Sequence, residues 1–354
     1  MIVGLMCGRE FSFPPAFINR VNELGASKKV TAEMVTLGGT KMGEEARYRV
    51  IVDRISHEVE YYRGYLKHAV LQGTYVINNP FWWTADDKFF NYSVAAKLGI
   101  AIPKTVLLPQ KSYPTDVDLT SESLRNLHYP IDWEGLLDYV GRPAILKPFS
   151  GGGWKHVYKV NNVAELLAAY DGTGPYCMTL QEFIDFGQYV RCFTFGKNDI
   201  IPVAYDPRER RYLVEHQYLS KELGARVVKD AQTINQLLGY EMNTIEFAVK
   251  DGIPYAIDFL NPAPDFERDR ITEFYFAHVV EKMARLVIDR ALHGAASGPW
   301  PRWEEMLKIG MSSGFTGAPG HAVPAAAGSA SPAESSLGTT PSLATTQSTE
   351  MQQA

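Results

Sequence analysis

One short stretch restricts the fold more than any other: Ile145-Leu-Lys-Pro-Phe-Ser-Gly-Gly-Gly-Trp154. The run from Pro143 to Pro148 reads as a strand with Lys147 inside it, where a buried ammonium lacking an anionic partner is costly. Ser150 follows, then Gly151, Gly152 and Gly153, whose backbone amides can approach a polyphosphate with no side chain in the way. Such a chain must fold so that an anion meets Lys147, supplied either by the protein or by a ligand. The order differs from the GxxxxGK[ST] phosphate loop, because here the lysine precedes the glycines. Taken alone, a lysine before a glycine-rich turn is more often purely structural.

The first 80 residues alternate. Ile2–Met6 is a short apolar run before Gly8, Phe17–Leu24 has helical spacing up to Gly25, and Val30–Leu37 is rich in β-branched and apolar residues. Val50–Val52, a helix with Val59, Tyr62, Leu66 and Val70 on one face, and Thr74–Ile77 come next. This alternation predicts a small open parallel sheet. Gly4 and Gly8 do not complete GxGxxG, so no dinucleotide fingerprint is present. Asp87–Leu98 reads as a helix, and residues 104–141 as loops with at least one helix. After the glycine loop, His156–Val160 is a predicted strand and Val163–Tyr170 a helix. Met178–Ile184, Val190–Phe195 and Ile200–Tyr205 are successive strands. Thr244–Val249 and Tyr255–Leu260 close the sheet around Lys250-Asp-Gly252, a strong hairpin signal. A last helix over Arg270–Leu292 places Ile271, Tyr275, Val279, Met283 and Leu286 on one face, with Gly294 as its stop.

Composition narrows the class. Of 354 residues, 35 Lys and Arg stand against 40 Asp and Glu, a formal net charge of −5. That balance gives no electrostatic reason to expect nucleic acid or an anionic membrane as a partner. No apolar run approaches the roughly 18 residues of a membrane span. The opening Met1–Cys7 has neither a basic leader nor a long apolar core, so no signal peptide is expected. Cys7, Cys177 and Cys192 cannot form a disulfide framework, which fits three thiols in a reducing cytoplasm. From Met311 to Ala354 there is no Lys or Arg and a mixture of Ala, Gly, Ser, Thr and Pro, so a disordered tail is expected there.

Three further pieces carry chemistry. Glu246 and Asp258 lie on the two strands of the predicted hairpin, with Asn261 just beyond. Carboxylates set there suit Mg²⁺, a hard cation bound through one or two carboxylates plus substrate phosphates; solvated strand carboxylates are the alternative. Asp258 interrupts an apolar run, where an unpaired charge would be costly. Leu180-Gln-Glu-Phe-Ile-Asp185 can present backbone groups to an adenine edge, with Glu182 or a nearby acid on the ribose hydroxyls. Arg191, inside an apolar strand, calls for a fixed anion, which a ligand or a structural ion pair could provide.

In chain order these pieces resemble the ATP-grasp superfamily, and within it the branch of glutathione synthetase and the ribosomal-protein glutamate ligases. The matching stretches are Asp86-Asp-Lys88-Phe, Ile145-Leu-Lys147-Pro with the glycine loop, Gln181-Glu-Phe-Ile184, Val190-Arg191-Cys-Phe-Thr-Phe-Gly196, and Glu246, Asp258 and Asn261. The resemblance implies an α/β (α+β) ATP-grasp fold over residues 85–310, with two subdomains enclosing the nucleotide. A parallel-sheet domain over residues 1–84 would precede it, and the tail 311–354 would follow. It further implies that Lys88 and Lys147 contact the α and β phosphates and that Ser150, Gly151, Gly152 and Gly153 close over them. Gln181, Glu182, Phe183 and Ile184 would form the adenine hinge, and Arg191 would steady the transferring phosphate. Glu246, Asp258 and Asn261 would hold one or two Mg²⁺ ions, or Mn²⁺. One departure stands out: the usual pattern is a carboxylate followed two positions later by Asn, whereas here position 260 is Leu. Strict strand alternation would turn Asn261 to the opposite face, unless Pro262 or a bulge re-aims it.

The implied activity is an ADP-forming ligase of the cytoplasm. It would activate a carboxylic acid as an acyl phosphate and join it to an amine, or to a thiol, with amino acids or peptides as candidate substrates. A homo-oligomer is compatible with the sequence. The alternatives are a phosphotransferase on the same scaffold and a non-catalytic Mg-ATP-binding module.

Overall fold

The computed structural model describes residues 1–42, 44–82, 87–113, 119–151, 155–214 and 218–294. The expected tail from 311 onward, Gly152, Gly153, Trp154 and Asp86 lie outside them. The elements run, in chain order, β1 (Ile2–Met6), α1 (Phe13–Gly25), β2 (Thr31–Met34), β3 (Val50–Asp53), α2 (Glu60–Leu71), β4 (Tyr75–Ile77) and α3 (Lys88–Lys97). Next come β5 (Thr105–Leu108), α4 (Trp133–Val140), β6 (Ala144–Pro148), β7 (Tyr158–Val160), α5 (Val163–Asp171) and β8 (Met178–Glu182). The last are β9 (Gln188–Phe195), β10 (Asp199–Asp206), β11 (Arg211–Leu213), α6 (Lys221–Leu238), β12 (Met242–Lys250), β13 (Ile253–Asp258) and α7 (Arg268–His293).

They build three sheets. The first is parallel, in the order β2-β1-β3-β4, as the alternation of strand and helix predicts. The second is antiparallel, β5-β8-β6-β7, and buries one face against α4 and α5 through Leu137, Val140, Leu166 and Tyr170. The third is antiparallel, β11-β10-β9-β12-β13, and is covered on both faces. Val190, Cys192, Ile245, Phe247 and Ala256 pack on α6 and α3, while Phe193, Phe195, Val203 and Met242 pack toward α7. Coverage on both sides explains why these strands read as near-continuous apolar runs, and why a charge within them is conspicuous.

Helix α7 is shared between sheets. Val279, Met283 and Val287 belong to one core with Val3, Leu5, Val50 and Val52 of the parallel sheet and with the third sheet. The carboxyl ends of the parallel strands are also tied to the third sheet. Asn78, just past β4, donates to the carbonyls of Met242 (2.7 Å) and Pro262 (3.2 Å) and accepts from the amides of Glu241 and Met242. Buried Arg54, just past β3, donates to Glu10 at 2.8 Å and to the carbonyl of Pro264. Glu267 accepts from the amides of Phe11, Ser12 and Phe13 at the start of α1, where the helix dipole favours a carboxylate.

Helix α6 has no counterpart in the sequence reading, which passes from the charged turn at Asp206–Arg211 straight to the hairpin. Its signals are present: Leu223, Val227, Ala231, Ile234 and Leu238 share one face, and the Ser220 hydroxyl caps the start by accepting from Leu223 N–H at 3.2 Å. Gly239, at φ +70°, ends it in the left-handed conformation. Among the described residues, no helix is long and apolar enough to cross a membrane.

Candidate active site

The register of the third sheet creates one polar row. Arg191 on β9 lies directly opposite Glu246 on β12, and Glu246 lies directly opposite Asp258 on β13. Directly opposed residues of antiparallel strands point to the same face, so all three side chains share one side of the sheet. The second opposition depends on a bulge. From Phe247 onward the pairing is Phe247 with Ala256, which, if continued, would set Glu246 against Ile257 and turn Asp258 away. An extra residue, Ile257, is inserted instead, and Asp258 returns to the Glu246 face.

The bulge also supplies an acceptor. Lys147, from β6 of the second sheet, donates to the Ile257 carbonyl at 3.1 Å and to the Tyr92 hydroxyl at 3.1 Å. The Tyr92 hydroxyl donates to that same carbonyl at 2.9 Å, and its ring packs edge-on against Phe259. Gln181 of β8 donates to the Thr105 hydroxyl at 2.8 Å. Tyr92 and Lys88 are four residues apart on α3 and therefore lie on one helix face. Asp87 caps that helix by accepting from Phe90 N–H, and buried Lys88 reaches Asp258 at 3.6 Å. Five elements, α3, β6, β9, β12 and β13, thus bring Lys88, Lys147, Arg191, Glu246 and Asp258 together.

Electrostatics follow from this packing. Burial and the charge of Lys88 lower Lys147 to about 8, although Asp258 and Glu246 act in the other direction. For Asp258, burial acts upward but is overridden by Lys88, Lys147 and the Leu260 amide, so its carboxyl is held below the usual aspartate range. Burial disfavours the Arg191 charge, yet Glu246 overrides it and keeps the guanidinium firmly protonated. Arg191 Nε donates to Glu246 at 2.8 Å, Nη1 donates to the Tyr212 hydroxyl at 3.0 Å, and the guanidinium lies 4.1 Å over the Tyr205 ring. The Tyr189 hydroxyl donates to the other Glu246 oxygen. Three cations against two carboxylates leave the cluster with one net positive charge when Lys147 is protonated, a field suited to a polyphosphate carrying a divalent cation.

Asn261 lies on the Glu246 side, against strict alternation: its Nδ2 donates to Thr244 Oγ1 at 2.7 Å, and Thr244 stands two residues before Glu246 on the same face. Its Oδ1 accepts no hydrogen bond among the described residues. The Glu182 amide donates to the Lys104 carbonyl at 2.8 Å and its carboxylate accepts from the Lys104 amide at 3.1 Å, within the β5–β8 pairing. The Ile184 amide has no hydrogen-bond partner among the described residues, and the Phe183 ring lies 4.0 Å under the Lys159 ammonium. Ser150 and Gly151 are exposed, Gly151 at φ +77°. The start of their loop is fixed where Phe149 donates to the Cys177 carbonyl and accepts from the Lys88 amide. Tyr92 and Tyr189 were missed by the sequence reading, since an aromatic on a helix or strand reads as core.

No group of three His, Cys, Asp or Glu side chains converges among the described residues. The available oxygen donors are two carboxylates and an amide, which fit Mg²⁺ sharing its coordination with phosphates and water.

No protein-family model matches the sequence. An alignment of 159 positions is 28% identical to the D-alanine–D-alanine ligase of Ralstonia nicotianae. It covers 39% of this chain and 47% of that protein, so the chain matches about half the length of this curated relative. Solved structures match over most of their length. The D-alanine–D-alanine ligase of Bacillus anthracis complexed with ATP superposes with a TM-score of 0.54 at 19% identity, over 82% of this chain and 97% of the other. A RimK-domain ATP-grasp protein from Sphaerobacter thermophilus reaches 0.58 at 16% identity, over 82% and 100%. The chain has the ATP-grasp fold. The macrocyclase MdnC of Microcystis aeruginosa, bound with its precursor peptide MdnA, shares that fold with a TM-score of 0.56 at 14% identity, over 81% and 99%. Within an ATP-grasp fold the polar row lies where the second and third sheets approach each other, bridged by Lys147, Tyr92 and the bulge.

Proposed function

We propose that this protein is an ATP-dependent, ADP-forming ligase that joins a carboxylic acid to an amine. One observation carries the reading: two lysines from different elements, an arginine and two carboxylates meet around one sheet bulge. Lys88 and Lys147 would bind the α and β phosphates, and Ser150 and Gly151, with Gly152 and Gly153, would close over them. The backbone from Gln181 to Ile184 would hold adenine, with the Ile184 amide as its donor. Arg191 would neutralise charge on the transferring phosphoryl group, the kind of electrostatic stabilisation from which such transfers draw most of their rate. Glu246, Asp258 and the Asn261 amide would hold Mg²⁺, whose contribution when bound is charge neutralisation on the phosphate oxygens.

A carboxylate oxygen of the acid attacks the γ-phosphorus, the bond to the β-phosphate oxygen breaks, and ADP leaves. The amine nitrogen then attacks the acyl carbon, phosphate departs, and the amine loses a proton to give the amide. Water must be excluded between the two steps, or the acyl phosphate hydrolyses. Amino acids or peptides are the substrate class we favour. The exposed arginines Arg9, Arg268 and Arg270 do not narrow it, because Arg9 pairs with Glu58, Arg268 with Glu273 and Arg270 with Asp265. A panel of acids and amines read by ADP and phosphate release tests the assignment. ADP formation that needs the acid, with phosphate and amide produced only when both are present, supports a ligase. A phosphorylated hydroxyl product points to a phosphotransferase, and nucleotide binding with no turnover across the panel points to a binding module.

A further inference from the structure

We propose that Asn243 is the positioning residue that makes Asn261 a metal ligand despite its irregular spacing from Asp258; this rests on the Mg-ATP reading above. The sequence places two residues, Phe259 and Leu260, between Asp258 and Asn261, and both are buried in the core beneath the sheet with α6 and Tyr92. Two consecutive residues facing the same core break strand alternation, so one residue must be accommodated outside the ladder. The register agrees. Continuing from the Glu246–Asp258 pair would set Thr244 opposite Leu260, whereas the Thr244 amide donates to the carbonyl of Asn261 at 3.4 Å.

Breaking the ladder leaves backbone groups that need partners inside a fully buried layer. Asn243, with none of its surface exposed, provides them from the opposite face of β12. Its Nδ2 donates to the Phe259 carbonyl at 2.9 Å, and its Oδ1 accepts from the Asn261 amide at 3.0 Å. One side-chain amide therefore grips both ends of the displaced segment. The same Nδ2 donates to Asn235 Oδ1 at 3.1 Å, and Asn235, also fully buried, donates to the Ala231 carbonyl of α6 at 2.9 Å. The clamp is thus anchored to a helix as well as to the strand. With its backbone held in this way, Asn261 directs its side chain to Thr244 on the Glu246 side, and among the described residues nothing donates to its Oδ1.

The test is a double-mutant cycle on the full-length protein with Asn243→Ala, Asn261→Ala and the double variant. Mn²⁺ is titrated in the presence of a non-hydrolysable ATP analogue, and metal affinity is read by water-proton relaxation or calorimetry rather than by turnover. Removing a residue that orients a ligand typically weakens metal binding about 10-fold or more. We expect a loss of that order for each single variant and little further loss in the double variant, since Asn243 acts through Asn261. Should Asn243→Ala fail to fold, Asn243→Asp keeps the acceptor for the Asn261 amide, loses both donated bonds, and replaces it in the cycle. Wild-type metal affinity in a folded Asn243 variant overturns the proposal, as do losses that simply add in the double variant. If the wild-type protein binds no Mn²⁺ with the nucleotide analogue, the Mg-ATP reading itself fails, an outcome separate from the first two.

Discussion

Glu246 and Asp258 face each other across β12 and β13 only because Ile257 is inserted into the second strand. The same insertion exposes the carbonyl that receives Lys147 and Tyr92. One irregular residue thus fixes the carboxylate pair and the position of a lysine from another sheet. Asp258→Asn keeps the shape of the pair but loses the charge that would hold the metal. Turnover of ATP should fall about 100-fold or more, while nucleotide analogue binding persists. Comparing steady-state ADP release with equilibrium analogue binding checks this, and turnover within a few fold of wild type would remove Asp258 from the site.

Tyr92 holds Lys147 through a single hydroxyl. Tyr92→Phe keeps the ring packed on Phe259 and deletes the hydroxyl bonded to Lys147 and Ile257. A hydrogen bond from a charged group contributes about 1.5 kcal/mol or more, so the KM for ATP should rise roughly tenfold with a smaller change in kcat. A kcat loss with unchanged KM would place Tyr92 elsewhere in the mechanism.

Lys147 gives the site a pH dependence with two opposite signs. Burial, with Lys88, lowers it to about 8 from the ordinary 10.5. Between those values the unfolded chain binds more protons than the folded one, so stability contributed by this group rises with pH across that window. Phosphate binding needs the ammonium, so nucleotide affinity should instead fall above about pH 8, approaching tenfold per unit. Thermal melts of wild type against Lys147→Met, and analogue binding between pH 7 and 10, read the two effects. A flat binding profile would contradict the assignment of Lys147 to the phosphates.

The Arg54–Glu10 pair joins the loops after β1 and β3 to the segment beyond Asn261, through the Pro264 carbonyl. The Arg54 side chain is only 2% exposed and that of Glu10 14%. Glu10→Gln leaves a buried guanidinium short of its counter-ion, which costs about 3 kcal/mol. The melting temperature should drop by several degrees, and an unchanged value would mean that the pair is not a structural tie.

Much of this was legible in the sequence wherever a residue type clashed with its surroundings. Lys147, Arg191 and Asp258 stand out because each interrupts an apolar run, and a charge there needs a reason. The open parallel sheet followed from strand and helix alternation. What could not be read depends on pairing between distant segments. The bulge at Ile257 and the return of Asn261 to the Glu246 face are properties of register, which no local pattern encodes. Tyr92 looks like any helix core aromatic until its hydroxyl is seen between Lys147 and a free carbonyl. The bonds of the Glu182 amide and carboxylate to Lys104, a cross-strand partner about 80 residues away, are likewise set by pairing between distant segments. Helix α6 was missed although its apolar spacing and Ser220 cap are both present.

The central claim is that Lys88, Lys147, Arg191, Glu246 and Asp258 surround one magnesium-bound triphosphate. Its most direct test is calorimetric titration of the wild-type protein and of Lys147→Ala with Mg²⁺ and a non-hydrolysable ATP analogue. Saturable, magnesium-dependent binding to the wild type that is lost in Lys147→Ala is the predicted result. No saturable binding to the wild type, or equal binding to the variant, would contradict the account.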